Sequence, residues 1–488
     1  MTLEGWTQLH FECESMVRSG QAAVAAKRLI NINTAQVPRS LRLPLANLCR
    51  RAGLVSVGLR LLSPLVYPEK SGVEMPATSA EVAEYAVLLE RCGSTKEALQ
   101  LLAHVNTIEV PEARLYRAFS LFTQWEYEAA IPELEQFLKS DASPYSIFVG
   151  RVNLAAALVV TELDKKRALD LLSENIEIAE KNNYVRLHGN CLELLAQVHI
   201  QAGDWTKAQQ SLDTAETFFG SARVHDQLFV RKWQAVIDAF RTNSAAPLLT
   251  FREEALLRGE PEGARDADLF SLMVEFDERR FNHLYFGTPF PAYRERIRQK
   301  LGSVPTATAF SFGDEQAPGI DLGQELPAKG LHRLFEALLK DFYCAPRVGG
   351  LFVELFPEET FNIFTSPKRV HQAVLRARRY LESLGAPVEI SCEDGSFALK
   401  MKGPFSFRVP LEAQAVDPNH TNLRILREAF AGREFTAKDA REKLALSPST
   451  FKRFATWAIE EGELTRLGAG SSTWYSISES HPALSAVS

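Results

Sequence analysis

The chain has 488 residues, 46% of them hydrophobic and 24% charged, with a formal net charge of −6. That length implies about two to four domains with ordinary globular interiors, and the charge excludes a chain that is basic throughout while leaving room for a locally basic surface. The N-terminal MTLEGWTQLHFECESMV has neither the basic nor the apolar region of a signal peptide, and no uninterrupted apolar run reaches membrane-spanning length. A cytoplasmic protein without membrane partners is therefore expected.

The six cysteines (Cys13, Cys49, Cys92, Cys191, Cys344 and Cys392) are far apart and form no CxxC. They read as buried thiols in a reducing compartment. The ten histidines are scattered, with none of the close pairs that a zinc site uses, so neither a metal nor another cofactor is expected.

The first 220 residues carry a repeat. In RSGQAAVAAKRLI, RAGLVSVGLRLLS, RCGSTKEALQLLA, TQWEYEAAIPELE, TELDKKRALDLLS and QAGDWTKAQQSLD, a turn residue is followed five positions later by a small residue, and four later by leucine. The turn residues are Gly20, Gly53, Gly93, Trp125, Leu163 and Gly203. The small residues are Ala25, Gly58, Ala98, Ala130, Ala168 and Ala208; the leucines are Leu29, Leu62, Leu102, Leu134, Leu172 and Leu212. A flexible turn, a close helix approach and an apolar plug one helical turn on describe stacked helical hairpins. The small positions lie 33, 40, 32, 38 and 40 residues apart. This resembles tetratricopeptide repeats, whose unit is about 34 residues. Pro144 is expected to close one unit. Such arrays present a concave face, which implies an unknown protein or peptide partner, or a ligand, on the array.

Residues 221–304 stay helical but lose the pattern, and are expected to continue and cap the stack. The aromatic segment HLYFGTPFPAY is expected to be core beneath a loop, with a pocket as the alternative. Residues 305–402 then run from short strands (FSF, GIDL) through helices at LHRLFEALLKDFY and TSPKRVHQAVLRARRYLESLG to the hairpin VEISCEDGSFALKM, with LFVELFP as helix or strand. Ser366 and Pro367 are expected to start the long helix. Val370, Val374, Ala377, Leu381 and Leu384 fall on one face, and Lys368, Gln372, Arg376 and Arg379 on the other, flanked by Arg369 and Arg378. Five Lys/Arg and no acid lie between Ser366 and Tyr380. RVHQAVLRARRYLESLG followed by VEISCEDGSFAL resembles the OmpR-type winged helix of response regulators, with Phe397 where that family usually has tyrosine. The resemblance implies a recognition helix in the major groove of double-stranded DNA, contacting it through Lys368, Arg369, Gln372, Arg376 and Arg379.

After a linker at 403–419, residues 420–478 begin with a helix marked by Leu423, Ile425, Leu426 and Phe430. A second starts at a Thr436/Asp439 capping box. A third is capped by Ser447 and ended by Gly462, and two strands follow. Ser447, Thr450, Arg453, Gly462, Leu464, Arg466, Gly468, Gly470 and Tyr475 match a pattern that looks like bacterial winged helix-turn-helix regulators. Phe451, Phe454, Ala455 and Ala458 form the expected buried face. The resemblance implies DNA contacts from Ser449, Thr450, Lys452, Arg453 and Thr456 on the third helix, and from Arg466, Gly468 and Gly470 at the wing. Residues 479–488 are expected to be a flexible tail.

The fold expected is mainly α: a TPR-like α-solenoid followed by two small α+β winged-helix domains. The function expected is that of a DNA-binding transcriptional regulator whose array senses a partner. A homodimer is compatible with this. The alternative is a non-enzymatic scaffold or assembly subunit, as in PCI-type proteins, using the winged helices for protein contacts. No P-loop, GxSxG, HExxH or dinucleotide glycine set points to an enzyme.

Overall fold

The computed structural model describes residues 1–411 apart from 20, 69–75, 220–223, 325 and 394. Beyond these it describes 422–423, 426–427, 429–430, 433–444, 448–460, 463–468 and 473–477. Two units result, Met1–Pro410 and Leu411–Ser488.

The first unit opens with antiparallel helical hairpins. They are α1 (Leu3–Arg18) with α2 (Ala22–Leu29), α3 (Arg39–Arg51) with α4 (Val55–Val66), α5 (Ser79–Cys92) with α6 (Thr95–Ala103), and α7 (Glu112–Phe122) with α8 (Tyr127–Phe137). Next come α9 (Pro144–Thr161) with α10 (Lys165–Lys181), and α11 (Val185–Gln201) with α12 (Trp205–Phe218). All six small positions and all six leucines of the sequence pattern are buried. A Cβ on Gly58 would come within 2.9 Å of Leu88, a measure of how closely α4 lies against its neighbour. Gly53, Gly93, Gly203 and Trp125 take positive φ at the turns, as the pattern requires; Gly20 lies outside the described residues. In the fifth unit the left-handed residue is Glu162, one before the expected Leu163. Pro144 opens α9 behind the Ser143 cap, because its missing N–H has no partner to lose at a first helical position. By length and composition α9 could cross a membrane, but its apolar residues pack within the array.

The helical stack continues beyond residue 221. Two more hairpins follow, α13 (Val224–Thr242) with α14 (Ala246–Leu257), and α15 (Pro261–Val274) with α16 (Glu278–Phe286), before α17 (Pro291–Leu301). Their pattern differs because the residues five and nine beyond the turn at Asn243 are Leu248 and Arg252, and Arg252 reaches back to Asp268.

The following module comprises β1 (Ala309–Gly313), β2 (Gly319–Asp321), α18 (Lys329–Leu338), α19 (Val348–Leu355), α20 (Ser366–Ser383), β3 (Val388–Glu393), β4 (Ser396–Met401) and β5 (Ser406–Pro410). β3 and β4 form a hairpin, and β5 lies between β1 (antiparallel) and β2 (parallel). The expected linker therefore begins too early: 406–410 is a strand, with Phe407 buried in the module. Nor is 305–402 a free-standing domain. Its core, including Leu334, Phe352, Val374 and Phe407, is continuous with that of the N-terminal helices, including Leu45, Leu62 and Leu89. Glycines make the closest approach: a Cβ on Gly349 would lie 2.7 Å from the Cys92 carbonyl oxygen.

In the second unit, helical backbone at 422–423, 426–427 and 429–430 precedes β6 (Phe435–Thr436), α21 (Ala437–Leu444), α22 (Pro448–Glu460), β7 (Leu464–Leu467) and β8 (Trp474–Ile477). The sheet order is β6-β8-β7. The Thr436/Asp439 capping box forms, and Phe451, Phe454, Ala455 and Ala458 are buried as expected. Ile425, Ser447, Gly462 and the 479–488 tail lie outside the described residues. The fold is mainly α, a TPR-like solenoid with small α+β modules after it.

Candidate functional site

Two surfaces carry unsatisfied chemistry in the first unit, and the first is α20. Val370, Val374, Ala377 and Leu381 recur at helical spacing and are buried. Leu384, expected on that face, is 51% exposed because the helix has already ended. Ser366 is not the cap either: it is the first helical residue, buried, and its Oγ accepts the Asn362 N–H at 2.9 Å. On the opposite face Lys368, Gln372, Arg376 and Arg379 are exposed, and among the described residues none has a side-chain partner.

The two flanking arginines are engaged. Arg369 forms two hydrogen bonds to Glu359, and its guanidinium lies 3.8 Å from the centre of the Phe356 ring. Arg378 donates to the Ile390 carbonyl oxygen from Nε at 3.1 Å and from Nη2 at 2.7 Å. Arg378 thus fixes the β3–β4 hairpin to the helix that precedes it. The hairpin turns at Gly395, whose φ is +77°.

The second unit repeats the arrangement on a smaller scale. Lys452, Arg453 and Thr456 are exposed on α22 and Arg466 on β7, and Gly468 has φ +76°. The Thr456 hydroxyl donates back to the Lys452 carbonyl oxygen at 3.0 Å, so that proton is already engaged. Gly470 and the side chains of Ser449 and Thr450 lie outside the described residues. Leu467 and Trp474 face each other across β7 and β8 and are both exposed.

The second surface of the first unit is the groove along the first helices of the later hairpins. A cavity of about 420 Å³ is lined by residues of α9, α11, α13 and α15. It shares Trp125, Tyr127, Val160 and Arg296 with a neighbouring cavity of about 500 Å³ beside α17. The floor is a buried ionic network absent from any sequence expectation. Asp266 accepts from Lys232 (2.7 Å), Tyr293 (2.9 Å) and Arg296 (3.2 Å). Burial alone would raise the Asp266 pKa, but the adjoining Lys232 and Arg296 outweigh it and hold it low. Arg265, fully buried, bonds Glu262 and both oxygens of Asp341, at 2.8 and 2.7 Å. Tyr343 donates to Asp268 at 2.6 Å. These last two contacts run from α15 to the segment after α18, so the later hairpins are bonded to the module. At the module's other side Glu97 accepts the Phe361 N–H at 2.9 Å, and Arg347 donates to the Arg91 carbonyl oxygen.

The aromatic segment divides. Phe286 and Tyr293 are core, while His283 lines a third cavity, of about 450 Å³, with Phe310 and Arg252. Burial pushes the His283 pKa down to about 4. Of the cysteines, Cys344 and Cys392 are exposed, not buried as expected; each lies where the module's loop or hairpin meets solvent.

No protein-family profile matches the chain, and no curated protein does. Among solved structures, it is similar to a tetratricopeptide repeat protein from Parabacteroides merdae (13% identity, TM-score 0.35, 61% of this chain and 98% of that one). It is also similar to the apo form of RapI (11% identity, TM-score 0.38, 78% of this chain and 98% of that one).

Proposed function

We propose that the protein is a DNA-binding transcriptional regulator that acts in the cytoplasm without catalysis. In this reading the module at 305–410 is an OmpR-like winged helix with α20 as its recognition helix and β3–β4 as its wing. The second unit is a further winged helix, with α22 and the β7–β8 turn in the same roles. The array holds a protein or peptide partner.

The observation that carries the reading is the stripe of Lys368, Gln372, Arg376 and Arg379, exposed and without side-chain partners among the described residues. Unpartnered cations on one helix face supply phosphate and guanine contacts. A mobility shift on random double-stranded DNA, run over a salt series beside the Arg376→Ala/Arg379→Ala/Arg453→Ala variant, tests it. Binding that weakens with salt and fails in the variant supports it; no binding by either protein at low salt refutes it.

One observation favours a scaffold role for the second unit. The apolar pair Leu467 and Trp474, 36% and 43% exposed, sits where a DNA-binding wing would carry cations. A second unit that captures a protein and not DNA would leave α20 as the sole DNA contact.

A further inference from the structure

The groove wall holds a carboxyl group that, among the described residues, forms no ion pair. Glu193, on α11, is 8% exposed and lines the 420 Å³ cavity. Its Oε1 accepts hydrogen bonds from both Trp233 Nε1 and Gln197 Nε2, and among the described residues its Oε2 accepts none. Lys232, whose charge acts on Glu193, is itself bonded to Asp266 at 2.7 Å. Burial raises the Glu193 pKa, against the opposing influence of the nearby Lys232 charge and of the Gln197 and Trp233 hydrogen bonds.

The rest of α11 is consistent with an occupant. Asn190, Glu193 and Gln197 lie on one helical stripe, all on the cavity wall. Asn190 is half-buried and has no side-chain partner among the described residues, so its amide can both donate and accept. Phe229, 37% exposed, gives the opposite wall an apolar face. In the adjoining 500 Å³ cavity Glu126, Glu128, Glu162 and Glu295 outnumber Arg296 and Lys300. A chain of residues would extend from one cavity into the other past Trp125 and Tyr127.

We propose that this groove binds a short peptide through a cationic group that pairs with Glu193. The cation is a Lys or Arg side chain or a free amino terminus. The Asn190 and Gln197 amides read the main chain, and the acidic second cavity favours further positive charge. The inference rests on the reading of the array as a partner-binding surface and names the partner's chemistry.

The test is a bead library of random hexapeptides, half of it N-acetylated, panned with the labelled full-length chain. The acetylated half should be enriched in Lys and Arg and depleted in Asp and Glu. Enrichment confined to the unacetylated half would identify the amino terminus as the cation. The best hexapeptide should lose at least tenfold in affinity against Glu193→Gln, which keeps the Oε1 acceptor, and less against the groove variant Phe229→Ala. Absence of enrichment, enrichment of acidic peptides, or undiminished binding by Glu193→Gln overturns the proposal. The mobility shift is run on the same preparations. DNA binding without peptide enrichment sinks only this inference, and peptide binding without DNA binding sinks only the regulator reading.

Discussion

Removing Asp341 should destabilise the first unit more than removing the arginine it pairs with. Arg265 has a fully buried side chain, whereas its partners Asp341 and Glu262 are 13% and 46% exposed. Asp341→Ala takes away a bidentate partner and leaves the guanidinium with Glu262 alone. It also removes the acceptor for the Tyr343 and Cys344 N–H groups, at 2.9 and 3.1 Å. Breaking a buried pair from the side that strands the buried charge costs about 3–5 kcal/mol. Arg265→Met leaves carboxylates that can turn to water, and Asp341 keeps its two N–H donors. Its cost should therefore be about 1–3 kcal/mol, the range for groups left partly satisfied. The double variant should be no worse than Asp341→Ala, a coupling of about 1–3 kcal/mol for residues in one network. Urea unfolding of the four proteins, compared at equal m, measures all three quantities. Equal costs for the two single variants, or a double variant at their simple sum, would refute the assignment of Arg265 as the stranded partner.

Gly349→Ala places a Cβ 2.7 Å from the Cys92 oxygen and 3.1 Å from the Ser94 nitrogen, both backbone, and should cost about 1–3 kcal/mol; Gly350→Ala, whose nearest contact is 3.4 Å, should be near neutral by thermal unfolding. His283 has its pKa depressed to about 4 by burial, against about 6.5 unfolded, so its neutral form supports the fold fully above pH 6.5. As pH falls toward 4 the unfolded chain protonates first and about 3 kcal/mol is lost; His283→Phe should lack that loss in urea midpoints taken across this window. On DNA, Arg376→Ala should flatten the slope of log K against log salt by about 0.9 for each phosphate that the arginine neutralises. Arg369→Ala should change it less, because Glu359 already holds that guanidinium; equal effects would count against the exposed stripe as the DNA-facing surface.

The repeat was legible because each unit solves the same local problem. A second helix must approach closely at one residue and fill a gap one turn later, so Ala25 with Leu29 and Ala208 with Leu212 announce themselves. The amphipathic face of α20 was legible for the same reason. What lay hidden depends on distant partners. Asp266 and Lys232 are 34 residues apart, and Arg265 and Asp341 are 76 apart. Taken locally, the run of charges at 265–268 looks like a solvated surface, since charged residues are seldom fully buried unless paired. All of Gly263–Leu272 is buried. The functions of Arg369 and Arg378 were invisible likewise, because Glu359 and the Ile390 carbonyl come from other segments.

The module is gripped on two sides by contacts of different kinds, and the difference bears on how a groove ligand would be felt. At α5 and α6 the contact is chiefly one of shape, Gly349 against the Cys92 carbonyl over a shared apolar core, with the Glu97–Phe361 N–H and Arg347–Arg91 carbonyl hydrogen bonds beside it. Close-packed surfaces of this sort tolerate little displacement. At α15 the contact is ionic and directional, through Arg265–Asp341 and Asp268–Tyr343. Asp266, between those two residues in sequence, faces the groove and is bonded to Lys232, the neighbour of the Trp233 that holds Glu193. A cation arriving at Glu193 changes the field on Lys232 and Asp266 first. The next groups along α15 are those bonded to the module. Charge-based contacts respond to such a change more than close-packed apolar ones do. A ligand signal entering the groove would therefore meet the module first at α15, through Arg265–Asp341 and Asp268–Tyr343.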